Sequence, residues 1–141
     1  MSAAPTPPAP TPPAPTPIER VIATPEAIAL LDRLSAKHGP LMLHLSGGCC
    51  DGSAPLCLPL GEFRLGERDL CLGIIAGAPF CMGDDTFQWW RNTQVILDVI
   101  QARGGGFSIE APDGVRFTAK ARLFTDEELA GLSDPQPANT L

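Results

Sequence analysis

Residues 41–57 read L-M-L-H-L-S-G-G-C-C-D-G-S-A-P-L-C, and no other stretch limits the fold as tightly. The first five alternate, with Leu41, Leu43 and Leu45 on one side and Met42 and His44 on the other, the period of a strand with two unlike faces. The strand ends at Ser46-Gly47-Gly48, because adjacent glycines favour a turn over a continued ladder. That turn carries Cys49, Cys50 and Asp51, and Cys57 follows seven residues after Cys50. The rest of the chain must therefore build a sheet able to hold a thiol-bearing glycine turn at the end of one strand.

The flanking segments supply such a sheet. Thr24-Pro25 starts a helix, with an N-cap hydroxyl followed by proline at the first helical position. Ala27, Ile28, Leu31 and Leu34 fall at helical spacing, Glu26, Asp32, Arg33 and Lys37 fall elsewhere, and Gly39-Pro40 stops the helix. Residues 62–65 and 70–75 read as a hairpin across Gly66-Glu67-Arg68-Asp69, with a further short strand at 80–82. Asp84 or Asp85 caps a short helix that packs Phe87, Trp89 and Trp90 on the sheet. Residues 93–100 are β-branched and apolar, as a central strand should be. After Gly104-Gly105-Gly106 the chain extends again over 107–110 and turns at Ala111-Pro112-Asp113-Gly114. From 115 to 124, Val115, Phe117, Ala119, Ala121 and Leu123 face inward, while Arg116, Thr118, Lys120 and Arg122 face outward. Thr125 with Glu128 makes a capping box for a last helix.

The order is that of an α+β, mainly β domain, a small β-sandwich-like body with an N-terminal helix and a short helix between strands. Residues 18–130 form this single domain. Residues 1–17 carry eight prolines among Ala and Thr, so they lack both ladder donors and an apolar load and read as a disordered tail. Residues 131–141 read as a flexible C-terminal tail.

A body of about 110 residues buries roughly 60–70% of its unfolded surface, so it needs no disulfide or metal merely to fold. The cysteines call for another account. A net charge of −6 and the absence of tyrosine exclude a basic, aromatic nucleic-acid surface. No run of about 18 apolar residues predicts a membrane span, and no charged-then-apolar leader predicts secretion. Five cysteines, three of them crowding one loop, fit reduced cytoplasmic thiols better than a secreted disulfide framework.

Thiolate and imidazole are donors suited to zinc, copper(I) or iron, so His44, Cys49, Cys50, Asp51 and Cys57 form a candidate metal set, completed within one chain or across a homo-oligomer. The alternative is thiol exchange at Cys49, with Cys50 or Cys57 resolving, the turn amides stabilising the thiolate. The plainer reading puts His44 and Cys57 in the core. Cys71 and Cys81, each inside an apolar strand, read as small core residues. With two histidines and no G-x-S-x-G or phosphate-loop pattern, other enzyme classes have little to stand on. Trp89-Trp90 reads as core plus rim, and as a docking anchor if exposed.

The stretches H-G-P-L-M-L-H-L-S-G-G-C-C-D-G-S-A-P-L-C, G-E-F-R-L-G and G-G-G-F-S-I-E-A-P-D-G-V-R-F resemble a family of small bacterial proteins of unknown function, domain-of-unknown-function family 779. Its members are often encoded beside aldehyde dehydrogenases, which implies such an enzyme as partner. More distantly, the element order and the G-G-C turn resemble the A-type (HesB-like) iron–sulfur carrier fold. That resemblance implies Cys49 as a cluster cysteine. The carriers' C-terminal C-G-C-G is missing here, since residues 115–141 contain no cysteine. The expectation is a non-enzymatic accessory protein that binds a transition metal or iron–sulfur cluster, with a metal-free assembly factor or a thiol redox protein as alternatives.

Overall fold

The computed structural model describes residues 18–46, 52–61, 65–102 and 108–138. The expectations for residues 1–17 lie outside this set. β1 (Val21–Ala23) leads into α1 (Pro25–His38), whose N-cap Thr24 accepts from the Ala27 amide with its hydroxyl and whose C-cap is Gly39. The buried stripe of α1 is Ala27, Leu30, Leu31 and Leu34. Leu30 therefore takes the inward place expected of Ile28, which lies exposed on the flank. That set follows the i, i+3, i+4, i+7 rule around one line.

β2 (Leu41–Leu45) is buried on both faces. It pairs antiparallel with β3 (Leu56–Pro59) and parallel with β5 (Ala78–Gly83), and β5 pairs antiparallel with β4 (Asp69–Ile75). The expected hairpin partner of residues 70–75 was wrong. β4 returns through Ala76-Gly77 into β5, both turn residues having positive φ (49° and 82°), the geometry of a two-residue hairpin loop. Of the expected first arm, residues 62–64 lie outside the described set and Leu65 is in no strand.

After β5, α2 (Asp84–Trp90) buries Phe87 and Trp90 but leaves Trp89 at 69% exposure, because Phe87 and Trp90 share a face three residues apart. Its N-cap is Gly83; Asp84 and Asp85 sit in the first turn, where Arg68 holds both carboxylates. β6 (Thr93–Gln101) is the middle strand of a second sheet, parallel to β1 and antiparallel to β7 (Val115–Leu123). A 3-10 turn, Ala111–Asp113, closed by left-handed Gly114, precedes β7. The alternation of β7 holds at its centre, Phe117 and Ala119 being buried, but Thr118 is also buried and Leu123 is exposed at the strand end. α3 (Asp126–Gly131) carries the expected capping box. The segment beyond it, read from sequence as a tail, places β8 (Gln136–Pro137) on β4.

The result is α+β and mainly β, with strand orders β1-β6-β7 and β3-β2-β5-β4-β8. One apolar core lies between them. Leu41, Leu43, Leu45, Phe80 and Met82 meet Val95, Leu97, Phe117 and Ala119 there, with the stripe of α1 and Phe87 and Trp90 of α2.

Candidate functional site

The face of β2 turned away from that core carries His44. Strand parity puts it there, opposite in direction to Leu43 and Leu45. In register, His44 stands beside Cys81 of β5, and Cys81 beside Cys71 of β4. Asp69, the first residue of β4, reaches back so that its Oδ1 lies 3.0 Å from His44 Nε2. The other ring nitrogen, Nδ1, lies 2.6 Å from Ser46 Oγ.

Asp69 is itself fixed, its Oδ2 accepting from the Gly66 amide at 2.7 Å. Burial works against its charge, but the hydrogen bonds from His44 and Gly66 outweigh it and hold the carboxyl below its ordinary range. An ionised carboxylate only accepts. In the neutral imidazole Nε2 therefore carries the proton, and Nδ1 offers its lone pair at the end of β2, accepting there from the Ser46 hydroxyl. Residues 47–51 follow directly. Beyond them, Gly52 N–H donates to Ala119 O at 2.9 Å and Ala119 N–H to Ser53 O at 2.7 Å, across the sandwich.

Cys57 is elsewhere. It pairs with Leu43 and belongs to the apolar core, whereas His44 pairs with Leu56. His44 and Cys57 thus occupy opposite faces of one sheet, and the register that fixes β2 against β3 keeps them from a common ion. Burial, with the negative charge of Glu110 added, pushes the Cys57 thiol up to about 12, so it is no thiolate at neutral pH. Of the other expected ligands, Cys49, Cys50 and Asp51 lie outside the described residues. Among the described residues, no group of three or more His, Cys, Asp or Glu side chains is placed to hold a metal ion.

Glu110 is the residue that sequence reasoning missed. It is fully buried, accepting from the Ser108 hydroxyl and, at 3.3 Å, from the Phe117 amide. Ser108 Oγ in turn accepts from the Cys57 amide at 2.8 Å, and the Ile109 amide donates to Cys57 O at 3.0 Å. One carboxylate therefore ties β3 and β7 to the loop before the 3-10 turn. The only cue in the sequence was an acidic residue closing an otherwise apolar F-S-I run. Asp69 gave no cue, being 25 residues from His44 along the chain.

Residues 30–123 match the family described as a domain of unknown function, DUF779. No curated protein and no solved structure matches the chain.

Proposed function

The chain belongs to the DUF779 family, and for it we propose a non-enzymatic accessory role: holding a transition metal ion at the turn that follows β2. The ligands are His44 Nδ1, the thiolates of Cys49 and Cys50, and an oxygen of Asp51. The observation that carries this reading is the Asp69–His44 pair. A carboxylate on one ring nitrogen is the usual support of a metal-binding histidine, because it fixes the tautomer and makes the other nitrogen a better donor. Here that other nitrogen lies at the end of β2, where it meets the Ser46 hydroxyl, and Cys49 and Cys50 follow within four residues of Ser46 in the chain.

Imidazole plus thiolates suits zinc, copper(I) or iron. A single ion is preferred to an iron–sulfur cluster, since the second cysteine pair that A-type carriers use is missing from residues 115–141. Cys57 is left out of the set for the geometric reason above. A second chain can complete the coordination.

The test is metal content per chain after purification without air or chelator. Wild type should carry stoichiometric metal, and His44→Ala and Cys49→Ser should lose it. Asp69→Asn should bind about 10–100-fold more weakly in a chelator competition. Metal-free wild type, or full loading of His44→Ala, would remove the proposal.

A protein-docking role has one observation of its own, the exposed ring of Trp89 on α2, a residue type enriched at interface hot spots. The gene neighbourhood implied by the family resemblance makes an aldehyde dehydrogenase the first partner to try. Loss of co-purification in Trp89→Ala, with metal content unchanged, would favour that reading.

A further inference from the structure

The row of residues on the outer face of the five-stranded sheet holds a second pair of groups. Cys71 and Cys81 are directly opposite each other on β4 and β5. Directly opposed residues of an antiparallel pair have Cα atoms about 4.5–5.5 Å apart, inside the range of about 4.4–6.8 Å that a disulfide spans. The pair therefore lies within disulfide reach, at a point where the β4 register against β5 shifts just after Cys71. Both residues are buried, Cys71 retaining 7% exposure. Cys81 is completely buried, whereas Cys71 lines an open groove of about 490 Å³ together with Val21, Gly73, Ile74, Pro135 and Gln136. That volume suits a small molecule. The pair also stands apart from the main core, in a small apolar cluster with Ala138 and Leu65.

We propose that Cys71 and Cys81 form a redox-active dithiol, oxidised by low-molecular-weight disulfides that reach Cys71 through this groove. The Cys71 thiolate attacks one sulfur of R–S–S–R, forming a mixed disulfide and expelling one thiolate. Cys81 then gives up its proton and attacks the Cys71 sulfur, closing the Cys71–Cys81 bond and expelling the second. Both cysteines are oxidised, and R–S–S–R is reduced to two R–SH. The roles follow from the environment. Cys71 lines the groove, its thiol donating to Gly73 O at 3.5 Å, whereas Cys81 has no exposed surface. Cys71 is thus the attacking group and Cys81 the resolving one.

The sheet register extends the consequence in two directions. Cys71 pairs with Gln136 of the two-residue β8, and Cys81 pairs with His44. The inference does not depend on the metal reading.

Reduced full-length protein exposed under native conditions to excess glutathione disulfide should lose the mass of two hydrogens at this pair. Peptide mapping after alkylation should recover a Cys71–Cys81 cross-link without retained glutathione. In Cys81→Ser the glutathione should remain on Cys71. Recovery of both residues as alkylated thiols in wild type, or of wild-type Cys71 as a lasting glutathione adduct, overturns the proposal. Wild-type mapping decides even where the variant does not fold. Metal content of Cys71→Ser should match wild type, so failure of the dithiol and failure of the metal site are read separately.

Discussion

A buried carboxylate decides more of this molecule than its neighbours in sequence would indicate. Glu110, itself 1% exposed, satisfies the Phe117 amide and the Ser108 hydroxyl. Removing one partner from buried donors costs about 1–3 kcal/mol for each group left unpaired. Glu110→Ala should therefore lower the urea unfolding free energy by about 2–4 kcal/mol, and Glu110→Gln, which keeps an acceptor oxygen, by clearly less. The same substitution removes the charge that helps raise the Cys57 thiol. The pH midpoint of Cys57 alkylation in folded Glu110→Gln should accordingly fall from about 12. Cys57 itself shows why spacing misled. The closeness of Cys57 to His44, Cys49 and Cys50 is a count of residues along the chain, but the face on which a sulfur emerges is set by the pairing of Leu43 with Cys57.

At the scale of elements, local chemistry was easiest to read where donor and acceptor are three or four residues apart. Thr24 caps α1 at 3.2 Å through Ala27 N and also donates to Asp98 Oδ1 at 2.9 Å. Thr24→Ala should cost about 1–2 kcal/mol in denaturant titrations, while Thr24→Ser should retain most of that stability.

The last helix gives a pH-dependent counterpart. The Arg122 guanidinium, assisted by the Thr125 amide, lowers the Glu128 carboxyl to about 2 from 4.5. A depressed folded pKa means that the stabilising contribution is complete above the unfolded value and disappears as protons bind. The protection of the α3 amides, relative to the intrinsic exchange rate at each pH, should therefore fall as pH drops from about 4.5 towards 2, and Arg122→Ala should lose this acid dependence. By contrast, the β4–β5 hairpin was misassigned from sequence. Gly66-Glu67-Arg68-Asp69 has turn composition, whereas the actual loop places an alanine at positive φ, a conformation that composition disfavours.

For the whole molecule, the join between the sheets rests on a close approach of backbone to side chain. A Cβ at Gly73 would lie 2.9 Å from Val21 Cγ1, so β1 of one sheet rests against β4 of the other. Valine is stiff at χ1 and buried here, so it has little room to yield. Gly73→Ala should destabilise by about 1–3 kcal/mol, and adding Val21→Ala should recover part of that loss in a double-mutant cycle. A fully additive pair would show that the two positions do not press on one another. Among the described residues, no helix is long and apolar enough to cross a membrane.

The sequence by itself determined what a few neighbouring residues can enforce. These are the limits of α1 between Thr24-Pro25 and Gly39-Pro40, the two faces of β2, the capping box of α3 and the turn at Gly114. Tertiary structure alone decided which groups meet. The order β3-β2-β5-β4-β8 brings Asp69 to His44, sets Cys71 against Cys81 and turns Cys57 into the core. Side-chain alternation says only that a residue points one way or the other; strand order and register say what stands opposite, and both are settled by burying the apolar faces of distant segments together.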